Sequence, residues 1–395
     1  MLSSAFTLPF TFYRQSAVEV FAELKAAGFS GINLALNYHA SRDFLLRQGP
    51  QLQYLSDGFH YYLPNQERYP ENSITPFDKD HESDNSLLDS ILIAAKAQDM
   101  KVSAWCVFMH NSAIGKREPE ATVINALGNR FLSELCPSNP RVKNYALGLV
   151  ADLTSRGIKS IVAESLHWHG ARHGEHHERF FVELSVTTEF LFSLCFCDFC
   201  INNFDGDGRA LKAKVAESLA PFLEDDDPWL DQPLTQEFFA SILGPQILDF
   251  LKSREASLTL LYKEIYAIAH ANGAKVSYVD QTPIMDQSKV DPLNYSWLIG
   301  VDHKAIRPFV DVFLPLLYRT TAEQVEEIYS HYKSEVSGNI SAILRPTYPD
   351  NESEENLVAK VAALSKGGIK EIDFYLLDTW RPKNLTWVAN ALSTN

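Results

Sequence analysis

Short apolar runs alternate along the chain with segments in which apolar residues recur every three or four positions. The first pattern is typical of strands that are buried on both faces, and the second is typical of amphipathic helices. Repeated strand–helix units predict an α/β fold built around a parallel sheet. Eight strands are predicted, at residues 5–10, 31–36, 101–108, 158–163, 275–279, 311–317, 340–344 and 371–376.

Eight such units predict a (β/α)8 TIM barrel, and because no linker divides the chain we expect one barrel domain over residues 1–395. The connections after the second, third and fourth strands are long enough to be insertions, and residues 201–270 have mostly helical patterns. A doubly wound open sheet is the alternative. No Gly-rich phosphate loop follows any predicted strand, so no nucleotide or other organic cofactor is expected.

The formal net charge of −15 limits the partners of the chain. Binding to nucleic acid or to an anionic membrane requires clustered Lys and Arg, so neither partner is expected. No apolar run reaches the roughly 18–20 residues that span a bilayer, and residues 1–14 lack a signal-peptide pattern. The five cysteines do not resemble a secreted disulfide framework, which favours a soluble protein of the reducing cytoplasm. Assembly into a homo-oligomer is left open.

Polar and aromatic residues gather where the predicted strands end, which is where barrels of this type carry their active sites. The candidates are His39, Trp105, His110, Asn111, Glu164, His167, Asp280, Tyr318, Arg345, Tyr375 and Asp378. This set contains carboxylates and aromatic rings but no lysine, which suits neutral sugars better than phosphorylated metabolites. We therefore expect a small-molecule or oligosaccharide substrate.

Glu164 is the strongest single candidate for a catalytic residue. It directly follows the apolar run at residues 158–163, where a charged side chain is costly unless it faces a polar cavity or a partner. Burial would raise its pKa toward that of a general acid. The alternative is a salt bridge at the barrel mouth, for example to Arg345.

Asp280 ends the fifth predicted strand and is the expected catalytic partner of Glu164. Two carboxylates across a barrel mouth can act as acid and as nucleophile or base in glycoside cleavage. Alternatively, Asp280 caps the loop that follows it. Asp378 is the fallback partner, and Asp373 is expected in the barrel interior or in a loop contact. The other candidates would bind sugar hydroxyls, and Arg345 would suit the carboxylate of an acidic sugar.

Four of the five cysteines have a spacing that indicates a metal site. The segment Cys195-Phe-Cys197-Asp-Phe-Cys200 offers three thiolates from one short turn, and Cys136 is available as the fourth. Four thiolates form a closed tetrahedral zinc site of structural type. The alternative is a group of buried, unligated thiols. Cys106 lies within the third predicted strand and is expected to be a small core residue.

A His-rich run without compact metal-binding spacing follows Glu164, namely His167, His169, His173, His176 and His177. Gly170 and Gly174 indicate an irregular loop, so most of these histidines are expected to be exposed. Only His167 is retained as a substrate contact.

The cysteine spacing and the strand-end glutamate together resemble the glycoside hydrolase family 42 β-galactosidases. In that family a Cys-Pro-Ser-type segment precedes a helix, the strand-four acid/base Glu and a Cys-x-Cys-x-x-Cys cluster that completes a zinc site. Cys136-Pro-Ser-Asn-Pro, Glu164 and the 195–200 cluster occur here in the same order, over about a sixth of the chain. The resemblance implies that Glu164 is the acid/base and that the four cysteines bind zinc.

The chain departs from that family at two positions. Ala163 precedes Glu164 where the family has Asn, and the seventh strand ends at Arg345-Pro-Thr-Tyr348 where the family has its nucleophilic Glu. The sequence therefore predicts a glycoside hydrolase or related carbohydrate enzyme, but not β-galactosidase activity in particular. The alternatives are a catalytically silent barrel that binds a carbohydrate or a protein, and a lyase or isomerase with a His or Tyr base.

Overall fold

The chain, described here from a computed structural model, is built on strands that follow the predicted order. The described residues are 1–76, 84–172, 179–223, 227–230, 232, 234–285 and 292–394. Their strands are β1 (Ser4–Thr7), β2 (Gly31–Tyr38), β3 (Ser41–Leu45), β4 (Gln51–Leu55), β5 (Phe59–His60), β6 (Lys101–Val107), β7 (Thr122–Ile124), β8 (Arg130–Leu135), β9 (Ser160–Glu164), β10 (Lys275–Asp280), β11 (Val312–Pro315), β12 (Ala342–Leu344) and β13 (Ile372–Phe374).

Helices connect these strands and cover the outside of the sheet. They are α1 (Thr11–Arg14), α2 (Ala17–Ala26), α3 (Ser86–Ala97), α4 (Ser112–Arg117), α5 (Pro140–Ser155), α6 (Val186–Ser193), α7 (Asp198–Asn202), α8 (Gly208–Leu219), α9 (Gln236–Leu243), α10 (Gln246–Ala271), α11 (Thr282–Met285), α12 (His303–Ile306), α13 (Ala322–Glu335), α14 (Glu354–Lys366) and α15 (Pro382–Ser393). Within the described residues, each helix is too short or too polar to serve as a membrane-spanning segment.

Eight parallel strands lie side by side in the order β11, β10, β9, β6, β2, β1, β13 and β12. Bridges from Phe313 to Ile340 and from Leu316 to Ile343 bring β11 next to β12, so the sheet nearly closes on itself. The predicted (β/α)8 TIM barrel is thereby confirmed, and the open-sheet alternative is wrong. Each of the eight predicted segments overlaps one barrel strand.

Local sequence explains where several of the helices begin. At the start of α2, the Ser16 hydroxyl accepts a hydrogen bond from the Glu19 amide, and the Glu19 carboxylate accepts one from the Ser16 amide. Thr321 and Gln324 form the same reciprocal cap at the start of α13. These pairs satisfy amide groups that a helix leaves without internal partners, and so they fix the helix start.

The long connections after β2, β6 and β9 carry additional structure. The connection after β2 contains the antiparallel hairpin β3–β4 and returns through β5, which pairs with β2. The connection after β6 contains the hairpin β7–β8. Helices α8, α9 and α10 fall in the region predicted to be helical, residues 201–270. Its status as a separate insertion within one domain stays a prediction.

The barrel interior, or lumen, changes character along its axis. Its middle is apolar and contains Phe6, Ala35, Trp105, Val162, Val279, Leu314 and Ile343. Its amino-terminal end carries several polar residues, namely Ser4, Asn33, Ser103, Ser160, Ser277 and Asp373. Asp373 is buried there, where it accepts hydrogen bonds from the Ser4 amide and the Asn33 side chain. This agrees with the interior position expected from the sequence.

Candidate active site

Glu164 is the last residue of β9, and its carboxylate is partly buried at the carboxyl end of the barrel. On β9, Val162 faces the lumen, and alternation along a strand places Glu164 on the same side. The indole N–H of Trp105 donates a hydrogen bond to the Glu164 carboxylate. Burial raises the pKa of Glu164, while attraction to His39 and the Trp105 hydrogen bond act in the opposite direction and do not cancel it.

Aromatic rings surround this carboxylate on several sides. Trp105 makes edge contacts with Tyr38 and Tyr375, with ring centroids 4.6 and 5.7 Å apart. The hydroxyls of Tyr38 and Tyr375 are 3.3 Å apart. Burial is the largest effect on the pKa of both tyrosines and raises it. The negative charge of Glu164 raises it further. Both phenols therefore stay protonated and remain available as hydrogen-bond donors at neutral pH.

Histidines line the mouth beside Glu164. His39 stacks on Tyr38 and on His110, with ring centroids 4.2 and 4.9 Å apart. His110 is buried, and burial together with the neighbouring His39 lowers its pKa to about 3. His110 is therefore neutral at physiological pH, and its ring can both donate and accept a hydrogen bond.

Two members of the His-rich run, His167 and His169, lie within the described residues, and the expectation that most of the run is exposed stays a prediction. Both are buried, and their ring centroids lie 4.6 Å apart. The nitrogen Nε2 of His167 is 2.6 Å from the Gln281 side-chain amide. The other members, His173, His176 and His177, lie outside the described residues.

Arg345 and Tyr318 complete the group of candidates that the structure brings together. The Arg345 guanidinium lies 4.1 Å above the centre of the Tyr318 ring. The same guanidinium donates two hydrogen bonds to Asp350, at 2.7 and 3.0 Å. The alternative of a salt bridge between Arg345 and Glu164 is therefore not realised, because the fork of Arg345 is held by Asp350.

Asp280 lies on the other face of its strand. Val279 faces the lumen, whereas Tyr278 and Asp280 point toward the surrounding helices. Asp280 is fully buried and is 2.6 Å from His303 Nε2. It also accepts hydrogen bonds from the Tyr332 hydroxyl at 2.7 Å and from the amide and hydroxyl of Thr282.

Burial alone would raise the pKa of Asp280, but the His303 ring and the hydrogen bonds from Thr282 lower it to about 2. Among the described residues, the neighbours of Asp280 are distinct from those of Glu164. The structure therefore does not bring together the two carboxylates that the sequence pairs.

Two further candidates also have structural partners. Asp378 is buried and accepts hydrogen bonds from the Thr7 and Thr11 hydroxyls and from the Leu8 amide, so it fixes the end of β1. Burial raises the pKa of Asp378 to about 6. Asn111 caps α4 by accepting a hydrogen bond from the Ile114 amide at 2.9 Å.

Asp43 is a mouth residue that the sequence did not single out. In the β3–β4 hairpin the alternating residues Arg42, Phe44, Leu52 and Tyr54 are exposed, while Asp43 lies on the opposite, half-buried face. Burial is the largest effect on the pKa of Asp43 and raises it. A hydrogen bond from Ser41 and attraction to His39 act in the opposite direction. The charge of Asp43 in turn raises the pKa of Tyr38 and Tyr375, the same pair that Glu164 affects.

Backbone hydrogen bonds attach the β3–β4 hairpin to the carboxyl end of the barrel. The amides of Leu46 and Arg47, which follow β3, both donate to the Asp378 carbonyl at the end of the eighth barrel strand. These bonds tie the residues just after Asp43 to the end of the barrel, although Asp43 belongs to an insertion rather than to a barrel strand.

Four cysteines form a compact buried cluster beside the mouth. Cys136 Sγ lies 3.6 Å from Cys197 Sγ, 3.5 Å from Cys200 Sγ and 3.7 Å from Cys195 Sγ. All four are free thiols and could hold a metal ion. A tetrahedral zinc with Zn–S bonds of about 2.3 Å requires sulfurs about 3.8 Å apart, so the spacing fits. Cys106 is buried in the core on β6 and is not a member of this four-cysteine group, as predicted.

Glu134 joins the cysteine cluster to the mouth and was also not singled out from the sequence. It lies two residues before Cys136, is buried, and accepts a hydrogen bond from the His169 amide at 2.6 Å. Burial raises the pKa of Glu134 well above its usual range, which favours the neutral acid. An isolated bridge pairs Glu134 with His110.

No family model matches the chain, and no curated protein matches it. Among solved structures, the β-galactosidase of the psychrophilic Marinomonas ef1 superposes with a TM-score of 0.59 and 10% identity over 100% of this chain and 59% of that chain. The β-galactosidase of the Antarctic haloarchaeon Halorubrum lacusprofundi gives a TM-score of 0.60 at 9% identity, over 100% and 58% of the two chains.

The catalytic domain of β-amylase from Paenibacillus polymyxa gives a TM-score of 0.56 at 11% identity, over 99% of this chain and 98% of that domain. The chain spans less than two thirds of the length of the two β-galactosidases, and almost the whole of the β-amylase domain. At these identities the likeness shows the barrel fold alone.

The first prediction concerns the contacts of Asp280. Replacement of Asp280 by Asn should lower the free energy of unfolding by about 3–5 kcal/mol, because it leaves buried partners of a charged group unsatisfied. Urea denaturation followed by circular dichroism measures this loss. The matched control, Glu326→Gln on the exposed face of α13, should change stability by less than about 0.5 kcal/mol.

The same substitution should also change the pH dependence of stability. Because the folded pKa of Asp280 is depressed to about 2, its contribution is present above its unfolded pKa and is lost as the pH falls through the folded value. Wild type should therefore lose stability between about pH 4 and pH 2 more steeply than Asp280→Asn. Equal slopes would contradict this assignment.

Proposed function

We propose that the chain is a carbohydrate-active enzyme, a glycoside hydrolase in which Glu164 is the general acid/base. The observation that carries the proposal is the partly buried Glu164 carboxyl group, with a raised pKa, among tyrosine hydroxyls at the active end of the barrel. The similarity in fold to two β-galactosidases and a β-amylase domain supports the substrate class.

The raised pKa suits Glu164 to donate a proton. A glutamic acid whose pKa is raised by burial holds its proton to higher pH than an ordinary carboxyl group, and it can protonate the glycosidic oxygen as the bond breaks. The carboxylate that results is stabilised by the Trp105 N–H donor and by attraction to His39. The same carboxylate can then accept a proton from the water that completes hydrolysis.

A second carboxylate is required, and Asp43 is better placed for it than Asp280. Asp280 points away from the lumen and is closed in by its own hydrogen bonds. The charges of Asp43, on the hairpin, and of Glu164, on the barrel, both raise the pKa of Tyr38 and Tyr375, which supports a place for both carboxylates near this pair. We assign Asp43 the role of nucleophile or base, with the distance between the two carboxyl groups setting the stereochemical outcome.

The remaining groups at the mouth would bind sugar hydroxyls. The phenols of Tyr38 and Tyr375 donate, and the neutral His110 ring can both donate and accept. Arg345, stacked over Tyr318, contributes a cation at the rim of the mouth. Because Asp350 already occupies two of its donors, Arg345 suits a hydroxyl or a single carboxylate oxygen rather than a bidentate carboxylate.

A catalytically silent carbohydrate-binding barrel is the second candidate. It is favoured by the end of β12, where Arg345 and Asp350 pair with each other and no glutamate follows the strand. The two candidates differ in one measurement, turnover of aryl glycosides and uronides. Sugar binding by calorimetry without turnover of any member of the panel would support the silent barrel.

We further propose that the four cysteines bind a structural zinc ion. When bound, the metal would have four thiolate ligands and no open position, so it would supply stability rather than catalysis. The chain places Cys136 directly after β8 and the other three ligands at the start of α7. The cluster would thereby fix the β7–β8 hairpin against the segment that follows β9.

The second prediction tests the acid role of Glu164. Glu164→Gln should lower kcat/KM about 10²–10⁴-fold for substrates with poor leaving groups, because the proton donor is lost. The loss should be much smaller for a dinitrophenyl glycoside, whose leaving group needs no protonation. Glu326→Gln is the control and should keep wild-type rates. Full activity of Glu164→Gln on unactivated substrates would overturn the assignment.

The third prediction separates Asp43 from Asp280. Asp43→Asn should reduce turnover of dinitrophenyl and unactivated glycosides alike, by about 10² or more, because the nucleophile or base acts on both. Asp280→Asn, assayed at a temperature where it is folded, should keep kcat within a few fold of wild type. The reverse ranking of the two variants would return the catalytic role to Asp280.

The fourth prediction concerns the cysteines. Purified wild type should contain one zinc per chain by inductively coupled plasma mass spectrometry, and Cys136→Ser should lose the metal and melt at a lower temperature, since metal binding contributes folding free energy. Cys106→Ser is the matched control, a buried cysteine outside the cluster that should keep the zinc. Metal-free wild type of unchanged stability would contradict the proposal.

A further inference from the structure

The amino-terminal end of the lumen opens into a cavity of mixed polar and apolar lining, at the end of the barrel opposite Glu164. Barrel interiors of this fold are usually filled with bulky branched apolar side chains. Here the lining contains Ser4, Asn33, Ser103, Ser160, Ser277 and Asp373, and the space measures about 880 Å³. The apolar middle of the lumen separates this cavity from the carboxyl end.

Three lysines stand at the opening of the cavity on three neighbouring strands. Lys101 begins β6, Lys159 directly precedes β9, and Lys275 begins β10, and these strands are adjacent in the barrel. All three line the cavity. Each is followed by a serine that also lines it, in Lys101-Val-Ser, Lys159-Ser and Lys275-Val-Ser. Each of the three strands thus contributes a lysine and a serine to one space, two residues apart at Lys101 and Lys275 and adjacent at Lys159.

These lysines are not neutralised by ion pairs. Within the described part of the chain, Lys101 and Lys275 make no salt bridge, and Lys159 donates only to the Asn272 carbonyl at 3.2 Å. The pairing of β9 with β10 sets Lys275 opposite Ser160, so its backbone lies next to that of Lys159. Like charges that line one cavity repel one another, and a bound anion would relieve the repulsion.

The carboxylates at this opening do not compensate the cations. Asp373 uses both oxygens to accept hydrogen bonds from the Ser4 amide and the Asn33 side chain. Burial and the neighbouring Glu371 raise the pKa of Asp373 to about 8, so it is mostly protonated at neutral pH. Glu371 and Asp99 are the other acidic residues of the lining, against Lys96, Lys101, Lys159 and Lys275, while Arg156 is already paired with Asp152 at 2.9 Å. This excess of cations is unusual in a chain of net charge −15.

We propose that the amino-terminal cavity binds a small dianion that carries a phosphate group, either inorganic phosphate or a phosphorylated small molecule. The ammonium groups of Lys101, Lys159 and Lys275 would surround the anion as point charges, and the hydroxyls of Ser103 and Ser277 would donate to its oxygens. The site is independent of the function proposed for the carboxyl end, because the two share no side chain.

The fifth prediction is tested by calorimetry and ³¹P NMR on the full chain with inorganic phosphate, at ionic strength held constant with chloride. Wild type should bind about one phosphate per chain, and Lys101→Ala/Lys275→Ala should bind it at least about tenfold more weakly, since two charge-assisted contacts are lost. Lys263→Ala, an exposed lysine of α10, is the matched control and should bind as wild type does.

A second variant addresses specific recognition as opposed to general attraction of anions. Ser103→Ala/Ser277→Ala keeps every charge and should still weaken phosphate binding several-fold. A sugar phosphate that binds more tightly than inorganic phosphate would identify the ligand as a phosphorylated small molecule, and equal affinity would identify phosphate itself. The proposal fails if wild type does not bind phosphate, or if the lysine double variant binds it as wild type does.

Discussion

The desolvated carboxyl group of Glu164 is the constraint around which the mouth of the barrel is arranged. An acid at the end of an apolar strand loses water on folding, and this cost raises its pKa. The Trp105 N–H group and the nearby His39 recover part of that cost without removing the shift. The tyrosines of the mouth, which could supply further donors to the carboxylate, instead pair with each other or remain open to a ligand. The site therefore contains an acid of raised pKa beside a pair of tyrosine hydroxyls.

Strand alternation decides which acids can join this site. Val162 and Glu164 point into the lumen from β9, so Glu164 reaches the mouth. On β10 the inward residue is Val279, and Asp280, one residue later, points outward to His303. Glu164 lies two residues after an inward-facing residue of its strand, whereas Asp280 lies one residue after such a residue. This one-residue difference separates a candidate catalytic acid from an acid with structural partners. Both residues end an apolar strand, and their neighbours in sequence look alike.

This explains how far the sequence could predict the structure. The eight barrel strands were predictable because burial on both faces leaves a continuous apolar run, and the position of Glu164 at the carboxyl end of the barrel followed from its place directly after such a run. The outward direction of Asp280 could also have been predicted from the alternation of Ser277 and Val279 with Tyr278. That prediction requires knowing which of these residues face the lumen. Asp43 was not accessible, because its place over the mouth depends on a hairpin that folds back onto the barrel. Asp378 shows the opposite difficulty. It also follows a predicted strand, but it accepts hydrogen bonds from the Thr7 hydroxyl and the Leu8 amide and so has structural partners.

The cysteine cluster and the acid are separate sites that are mechanically connected. The Leu135 amide donates to the Met109 carbonyl, so the residue before Cys136 is bonded directly to the segment that follows β6. Glu134, one residue earlier, holds the His169 amide on the segment that follows β9. A rigid cluster at Cys136 therefore fixes both segments that flank Glu164, although no cysteine reaches the lumen. A general acid must lie within hydrogen-bond reach of its target, so the position of these two segments matters for Glu164. A metal without an open coordination position could therefore still support the acid by fixing them.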